Sequence, residues 1–354
     1  MQNNLLDLYS DYLISQNQYA TSTGLSAMLD GEISHDKITR FLNSHNMGSK
    51  ELWEYIKPTL RQFEENKGGV LILDDTIEEK PYTDENEIIA WHFSHAKGRC
   101  LKGVNILSCL VRYGDKVLPL DYTAVHKDLH FSDIKTRKTK RQASKSKNEI
   151  FRSIIKRAQD NHVKFEYILA DNWFGARGNM EFIHFNLKQK FIFGIKSNRV
   201  VRLKNKNGQY QKLNTLKLKD GESVQVFLKL SSFPVQLIKK IFKNEDGSTG
   251  TLFLVTNDLT IDADRIYEIY QKRWCIEEFH KSIKQNVSLN KSPTKVIRSQ
   301  KNHIFASIIA FCKLEFLKWK TNLNHFALKY KLLISANRKA FLELQKIKTQ
   351  FMIA

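Results

Sequence analysis

Four residues with polar side chains recur at helical spacing in the second half of the chain, namely Tyr270, Arg273, Glu277 and Lys284. Each residue of an α-helix turns the chain by about 100°, so these side chains fall within one sector about 60° wide. An acid between two cations and a phenol suits a site that holds both a metal ion and phosphate groups. The simpler alternative is a solvated helix face with ion pairs such as Arg273 with Glu277.

Two more candidate acids follow apolar runs that predict buried strands. Asp75, preceded by Asp74, ends the run at residues 70–73, and Asp171 ends the run at residues 165–170. Carboxylate oxygens at the ends of neighbouring strands are ligands that Mg²⁺ and Mn²⁺ prefer. Two such ions about 4 Å apart can activate a water or a 3′-hydroxyl and stabilise the leaving oxygen of a phosphodiester. A strand-end Asp can equally be a turn residue or a helix N-cap.

The elements that must position these acids predict a mixed α/β fold. Three strand patterns, a helix near residues 148–161, the strand before Asp171 and a helix over residues 262–287 follow one another in the order of a ribonuclease-H-like core. Residues 199–257 alternate in short runs broken by Asn-Gly and Asp-Gly pairs, which predicts a β-rich insertion. The apolar face of the later helix should pack on the core through Ile269, Ile276, Phe279, Ile283 and Val287.

The same pattern divides the chain into segments. At the N-terminus, Ser34 should cap the second of two short helices, and such a helix-turn-helix could bind DNA; a helical bundle without DNA contact is the alternative. The expected segments are an N-terminal helical region at 1–62, the core at 63–198 and 258–320, the β-rich insertion at 199–257 and a C-terminal helical tail at 321–354.

The charge balance favours a polyanionic partner. The 354 residues include 57 Lys and Arg against 37 Asp and Glu, a formal net charge of +20. Neutralising DNA phosphates releases counterions, which makes nucleic acid a better partner for this excess than a membrane surface. The stretch 135–147 is basic and has no carboxylate, so we expect a mobile loop that lies along DNA phosphates through Lys138, Lys140 and Arg141.

The cysteines and the apolar runs indicate a cytosolic protein, which would associate with the nucleoid. Four cysteines, far apart in the sequence, should be small core residues in a reducing compartment: Cys100, Cys109, Cys275 and Cys312. No secretory signal stands at residues 1–10, and no apolar run approaches the roughly 20 residues of a membrane span.

Several histidines and tryptophans could also serve chemistry. His92, His95 and His126 lack the spacing of metal ligands and are expected on the surface or in loops. Trp173 and Trp274 could stack on an unpaired base, but packing in the core or between helices is the favoured interpretation.

The candidate residues together resemble a known family. Tyr-x2-Arg-x3-Glu-x6-Lys matches the YREK signature of the insertion-sequence-four group of DDE transposases at every position. Leu-Asp-Asp-Thr at 73–76 and Ala-Asp-Asn-Trp-Phe at 170–174 look like the first and second acid motifs of that group. The insertion before the glutamate is similar too, and the resemblance covers roughly residues 65–320.

The resemblance implies roles for individual residues. It implies that Asp75, Asp171 and Glu277 bind two Mg²⁺ or Mn²⁺ ions and catalyse the reaction. It also implies contacts to phosphates at the transposon end from Tyr270, Arg273 and Lys284.

Two acids have acidic neighbours. Asp75 is chosen over Asp74 because in the family the acid directly before threonine is the ligand, and strand alternation sends the two side chains to opposite faces. Glu277 is chosen over Glu278 because Glu278 falls outside the polar sector of the helix.

The expected function is cut-and-paste DNA transposition. Such an enzyme binds the inverted repeats of its own element as double-stranded DNA, hydrolyses one strand at each end and attacks the other strand with the freed 3′-hydroxyl. The resemblance implies hairpin ends, strand transfer into target DNA and a homodimer on DNA. The alternatives are a catalytically inactive transposase-derived DNA-binding protein and a structure-specific nuclease of the same fold.

Overall fold

The computed structural model describes residues 2–44, 46–64, 68–95, 97–134, 136–204, 209–243 and 246–352. The chain divides into two compact units. Unit 1 comprises Met1–Leu52, Glu78–Asn86 and Glu278–Ala354, and unit 2 comprises Trp53–Ile77 and Glu87–Glu277. No described helix is both long enough and apolar enough to cross a membrane.

The elements of the described residues run in the following order. The helices are α1 (Gln2–Ser15), α2 (Ser22–Met28), α3 (His35–Ser44), α4 (Ser49–Leu60), α5 (Lys147–Asp160), α6 (Arg177–Glu181), α7 (Ala263–Gln271), α8 (Cys275–Gln285), α9 (Ile297–Thr321) and α10 (His325–Met352). The strands are β1 (Val70–Glu79), β2 (Ile89–Ser94), β3 (Arg99–Tyr113), β4 (Lys116–Ala124), β5 (Leu129–Asp133), β6 (Lys138–Gln142), β7 (Tyr167–Ala170), β8 (Lys190–Ile195), β9 (Val200–Leu203), β10 (Gln211–Lys212), β11 (Ser223–Leu228), β12 (Pro234–Lys243) and β13 (Thr249–Thr256).

Unit 1 is helical and is organised by α9. This helix is buried along most of its length because α1 and α3 pack on it. Its polar residues are satisfied inside the unit: His303 Nδ1 bonds the hydroxyl of Tyr9 at 2.9 Å, and the amide of Asn302 donates to the carbonyl of Leu42 at 2.8 Å. The N-terminal helical region and the C-terminal helices are therefore confirmed.

Unit 2 contains one mixed sheet of eleven strands in the order β10-β9-β11-β12-β13-β8-β7-β1-β3-β2, with β4 also paired to β3. Strands β1, β7 and β8 run parallel to one another. The central run β4-β3-β1-β7-β8 is the strand order of a ribonuclease-H-like core. The predicted fold is confirmed.

A capping box closes the N-terminus of helix α5. Ser146 Oγ accepts the backbone N–H of Glu149, and the carboxylate of Glu149 accepts the backbone N–H of Ser146 at 2.8 Å. The apolar face of α5 is buried through an aromatic cluster. Phe151 stacks on Phe174 with ring centroids 4.8 Å apart and meets the edge of Phe193 at 6.0 Å. The cap and the cluster together fix the start of α5 in unit 2.

The β-rich insertion extends the central sheet instead of forming a sheet of its own. Strand β13 pairs antiparallel with β8, and β12, β11, β9 and β10 follow outward. The expected turn at Asn207-Gly208 lies outside the described residues.

The basic stretch was predicted to be a mobile loop, and that prediction is wrong for its central part. Strand β6 pairs antiparallel with β5, a strand that the sequence pattern did not reveal. The reason is an acid just upstream of the basic stretch: the carboxylate of Asp133 pairs with Lys140 and accepts the backbone N–H of Thr136 at 2.8 Å. Lys135 lies outside the described residues.

The single helix predicted over residues 262–287 is instead two helices. A turn of 3-10 helix at Lys272–Trp274 separates α7 from α8. The expected apolar face holds, because Ile269, Ile276, Phe279, Ile283 and Val287 are all buried. The tighter turn falls at Arg273, so the ideal 100° step does not describe how that side chain leaves the backbone.

Two expectations about single residues are also wrong. Cys100 is exposed, because it lies at the outer end of β3 opposite Phe93 of the edge strand β2. His92 is buried on β2 instead of lying at the surface, and burial lowers the pKa of its imidazole to about 3. The other three cysteines are buried as expected.

The aromatic cluster beneath α5 gives a test of the core. Replacing Phe151 by alanine removes a fully buried ring and leaves a cavity against Phe174 and Phe193. The free energy of unfolding should fall by about 3–5 kcal/mol, measured by urea denaturation. Replacing Ile134, which is 95% exposed, should change it by less than about 0.5 kcal/mol. Equal effects of the two substitutions would contradict this account of the core.

Candidate active site

The parallel pairing of β1 with β7 positions the first two acids. Leu73 lies opposite Ala170 in the register of the two strands, so the next residues, Asp74 and Asp171, follow at the same level. Side chains alternate along a strand, and neighbours at one level share a face. Asp74 therefore faces the same side as Asp171, and Asp75 faces the other side.

Arg273 links two of the acids. Its guanidinium lies 3.2 Å from Asp74 Oδ2 and 3.3 Å from Glu277 Oε1. The guanidinium can reach both because the 3-10 turn carries Arg273 between α7 and α8. Its side chain is only 16% exposed, whereas that of Glu277 is 41% exposed. The glutamate is thus the member of this group that is most open to a ligand.

Burial and mutual repulsion control the charge of the paired aspartates. Burial raises the pKa of Asp74 to about 8, the nearby Asp171 carboxylate adds to the rise, and the guanidinium of Arg273 only partly offsets them. Burial also raises the pKa of Asp171, although this carboxylate accepts the backbone N–H of Trp173 at 2.9 Å and of Phe174 at 3.3 Å. The cations of the site therefore do not fully offset the free-energy cost of ionising both aspartates.

Asp75 is held on the other side of β1. Its two carboxylate oxygens lie 3.0 and 3.1 Å from Lys147 Nζ, and the side-chain amide of Asn105 donates to it at 2.5 Å. Lys147 Nζ also lies 4.1 Å from the centroid of the Trp173 ring. Sequence reasoning missed both Lys147 and Asn105. The capping box before Lys147 was a usable signal, since it marks where the helix starts.

Tyr270 is buried near the acids. The ring lies 5.9 Å from the Arg273 guanidinium, and burial raises the pKa of the phenol to about 12. The hydroxyl approaches β8 closely: a Cβ at Gly194 would lie 3.1 Å from it. Glycine at this position thus leaves room for the phenol. The predicted contact of Tyr270 with a phosphate stays a prediction.

Lys284 belongs to unit 1, on the later part of α8. Burial raises the pKa of Glu78 to about 6, and the ammonium groups of Lys80 and Lys284 oppose the rise. Lys284 therefore favours the ionised form of Glu78 within its own unit. The predicted contact of Lys284 with a phosphate also stays a prediction.

The two tryptophans differ. Trp274 is 64% exposed, which is contrary to the expected packing, because the 3-10 turn directs it away from the apolar face of the helices. Trp173 packs edge-on against Phe174 with ring centroids 4.8 Å apart and carries Lys147 over its face.

The acids fit a divalent cation by their chemistry, since all offer hard oxygen donors and the cations present do not fully offset the ionisation of Asp74. They are not gathered into a metal site: among the described residues no three Asp, Glu, His or Cys side chains are arranged to hold an ion. Arg273 and Lys147 hold the carboxylates instead. A metal ion bound by Asp75, Asp171 and Glu277 would have to compete with these cations.

The residues predicted to contact DNA, Lys138, Lys140 and Arg141, lie on β6 of the two-stranded β5–β6 ribbon. Strand alternation puts Lys138 and Lys140 on one face and Arg141 on the other. Phe131 lies opposite Lys140 in the register, and Ile134 at the turn is almost fully exposed. The three cations therefore do not share one face of the ribbon.

Two family models match the chain. One, described as DDE superfamily endonuclease, matches residues 2–214, and the other, described as Transposase DDE domain, matches residues 130–312. The first match covers more than half of the chain and includes Asp75 and Asp171, and the second includes Asp171 and Glu277. No curated protein matches the chain.

The raised pKa of Asp74 predicts a pH dependence. In the unfolded chain this acid titrates near 3.8 and in the folded protein near 8, so between these values the folded state holds more protons and loses stability as pH rises. Asparagine resembles the protonated acid and does not titrate. The melting temperature of Asp74→Asn minus that of the unchanged protein should therefore be larger at about pH 8.5 than at about pH 5, both measured without added metal.

The control for this experiment is Asp160→Asn, which removes an exposed carboxylate from α5. Its melting temperature relative to the unchanged protein should be about the same at both pH values. A difference for Asp74→Asn that does not vary with pH would show that the Asp74 carboxyl is ionised throughout.

Proposed function

Because the chain belongs to the DDE superfamily of endonucleases and transposases, we propose that it is a DNA transposase that cuts at the ends of its own element and joins them to target DNA. The observation that carries the proposal is the register of β1 and β7, which sets Asp74 beside Asp171 with Glu277 linked through Arg273. Burial raises the pKa of both Asp74 and Asp171, a cost that a bound metal ion would offset.

The proposed ligands of two Mg²⁺ or Mn²⁺ ions are Asp75, Asp171 and Glu277. Such ions, when bound, supply an activated water or hydroxyl and stabilise the leaving oxygen of the phosphodiester. Asp74 competes with Asp75 for this role, because Asp74 shares its face with Asp171. Arg273 holds two carboxylates in place and can turn its guanidinium toward a phosphate.

The proposed partner is double-stranded DNA, at the inverted repeats and at the target. The net charge of +20 supports this, and so do the cations on the β5–β6 ribbon. Lys284 and Tyr270 are further proposed contacts at the transposon end. Trp274 is exposed one residue after Arg273, which suits stacking on an unpaired base.

The finer identity is also a proposal. The spacing of the YREK residues supports the insertion-sequence-four group, and with it the cut-and-paste route through hairpin ends, a homodimer on DNA and a place in the cytoplasm at the nucleoid. The segments 1–62, 63–198, 199–257, 258–320 and 321–354 are proposed as functional divisions, with the first as a DNA-binding region.

Two other functions remain candidates, and one assay separates all three. A duplex carrying the cognate inverted repeat is incubated with the protein, Mg²⁺ and a target duplex. A transposase cuts at the repeat and joins the end to the target. A structure-specific nuclease cuts without joining, and an inactive DNA-binding protein binds without cutting. Cutting that is independent of the repeat would count against the proposal.

Replacing acid and cation should separate catalysis from binding. Asp171→Ala should abolish cleavage and leave binding to the transposon end nearly intact, because this acid serves the metal. Arg273→Ala should weaken end binding by about 1.5–3 kcal/mol as well as cleavage, because alanine cannot replace a charge-assisted hydrogen bond. Binding is measured by gel shift without metal. Equal losses of binding in the two variants would contradict the assigned roles.

The ribbon should add affinity with little sequence preference. Neutralising Lys138, Lys140 and Arg141 together should weaken binding to cognate and random duplex alike. The slope of log K against log salt should become shallower by about 0.9 for each cation that meets a phosphate, or about 2.7 for all three. A matched control neutralises three exposed lysines of the insertion, namely Lys212, Lys217 and Lys219. An unchanged slope in the ribbon variant would identify the ribbon as a solvated surface.

A further inference from the structure

The side chain of Lys147 is largely shielded from water, which is unusual for a lysine. Its ammonium lies between the two oxygens of Asp75 and the face of Trp173, and both charged side chains are largely shielded from water. Lysine ammonium groups are strongly hydrated, so this placement costs desolvation that the carboxylate and the ring must offset. A close pair of this kind, next to acids that serve a metal-dependent reaction, calls for a functional reason.

A buried polar atom without a hydrogen-bond partner, the amide oxygen of Asn105, belongs to a residue that contacts Asp75. Asn105 is almost fully buried; its amide nitrogen donates to Asp75, while its amide oxygen has no hydrogen-bond partner. A buried amide oxygen without a partner is costly. A half-turn of this amide would exchange its nitrogen for its oxygen beside the Asp75 carboxylate, and amide and carboxylate oxygens together are ligands for a hard divalent cation. The surroundings of Asp75 therefore contain an oxygen ligand that the present hydrogen bonds do not use.

We propose that the Lys147 ammonium is the resident counter-cation of Asp75, and that a divalent cation binds there only by displacing it, with the Asn105 amide turning so that its oxygen becomes a further ligand. This inference rests on the proposed function, since it concerns the same acids. The proposal accounts for two observations. The described residues form no assembled metal site, and the carboxylate of Asp75 is paired with Lys147.

The position of Lys147 makes such an exchange feasible. It is the first residue of α5, and the capping box at Ser146 and Glu149 fixes its backbone without using its side chain. The flexible stem can therefore swing while the helix start stays in place. Arg273 plays the corresponding part for Asp74 and Glu277, but its fork of donors binds two acids at once and it is the less easily displaced of the two cations.

The first test measures Ca²⁺ binding by calorimetry on the full-length protein without DNA. Lys147→Met removes the competing ammonium and should bind Ca²⁺ about tenfold more tightly than the unchanged protein, which corresponds to about 1.4 kcal/mol. Lys147→Arg keeps a cation beside Asp75 and should gain no affinity. The matched control is Lys156→Met, which removes an exposed lysine from the same helix and should stay within about twofold of the unchanged protein.

A second measurement follows the Lys147 side chain in the unchanged protein, and a variant serves only to assign the signal. Dimethylating the lysines with ¹³C keeps their charge, and the Lys147 methyl signal should be displaced by the ring current of Trp173; its absence in Lys147→Arg assigns it. Saturating Ca²⁺ should move this signal toward the position of exposed lysines, because the ammonium leaves the ring.

Two results would overturn the inference: Lys147→Met that binds Ca²⁺ no more tightly than Lys156→Met, or a Lys147 signal that stays unmoved at saturating Ca²⁺. In either case, cleavage and joining by the unchanged protein would leave the proposed function standing. Conversely, a protein that neither cuts nor joins DNA but shows both expected Ca²⁺ responses would lose the proposed function and keep the exchange.

Discussion

The active site depends on one constraint, the parallel pairing of the buried first half of β1 with the short strand β7. Because Leu73 of β1 lies opposite Ala170, the last residue of β7, Asp74 and Asp171 come together where water has little access. Burial raises the pKa of both carboxyls, and repulsion by Asp171 adds to the rise for Asp74. The neighbouring cations and helices are best understood as the means by which the fold tolerates this repulsion.

Two cations share that task and sit on opposite faces of β1. Arg273 holds Asp74 and Glu277, while Lys147 holds Asp75. Each comes from the end of a helical element, where a 3-10 turn or a capping box fixes the backbone. The chain thus keeps its acids in place with side chains that can move, which is compatible with a site that exchanges its counter-charge when ligands arrive.

The protein also separates the rigid and the adaptable parts of its proposed DNA surface. The aspartates lie on or next to the central strands β1 and β7. The ribbon and Trp274, in contrast, are exposed. A rigid sheet holds reacting groups to the tolerance that chemistry needs. Exposed cations and aromatic rings can adapt to a bent or unpaired duplex, because phosphate contacts and stacking tolerate variation in geometry.

The sequence by itself determined the fold class and supplied the residues from which the candidate site is proposed. Apolar runs ending in acids, and apolar positions such as Ile276 at helical spacing, are local patterns, and burial follows from them. Only the tertiary structure decided which of Asp74 and Asp75 faces Asp171, because that depends on the register between strands far apart in sequence. It likewise decided that the basic stretch forms a ribbon, since the partner strand and Asp133 lie outside the stretch. Pairing across the chain has no signature in local composition, and those are the features that sequence patterns missed.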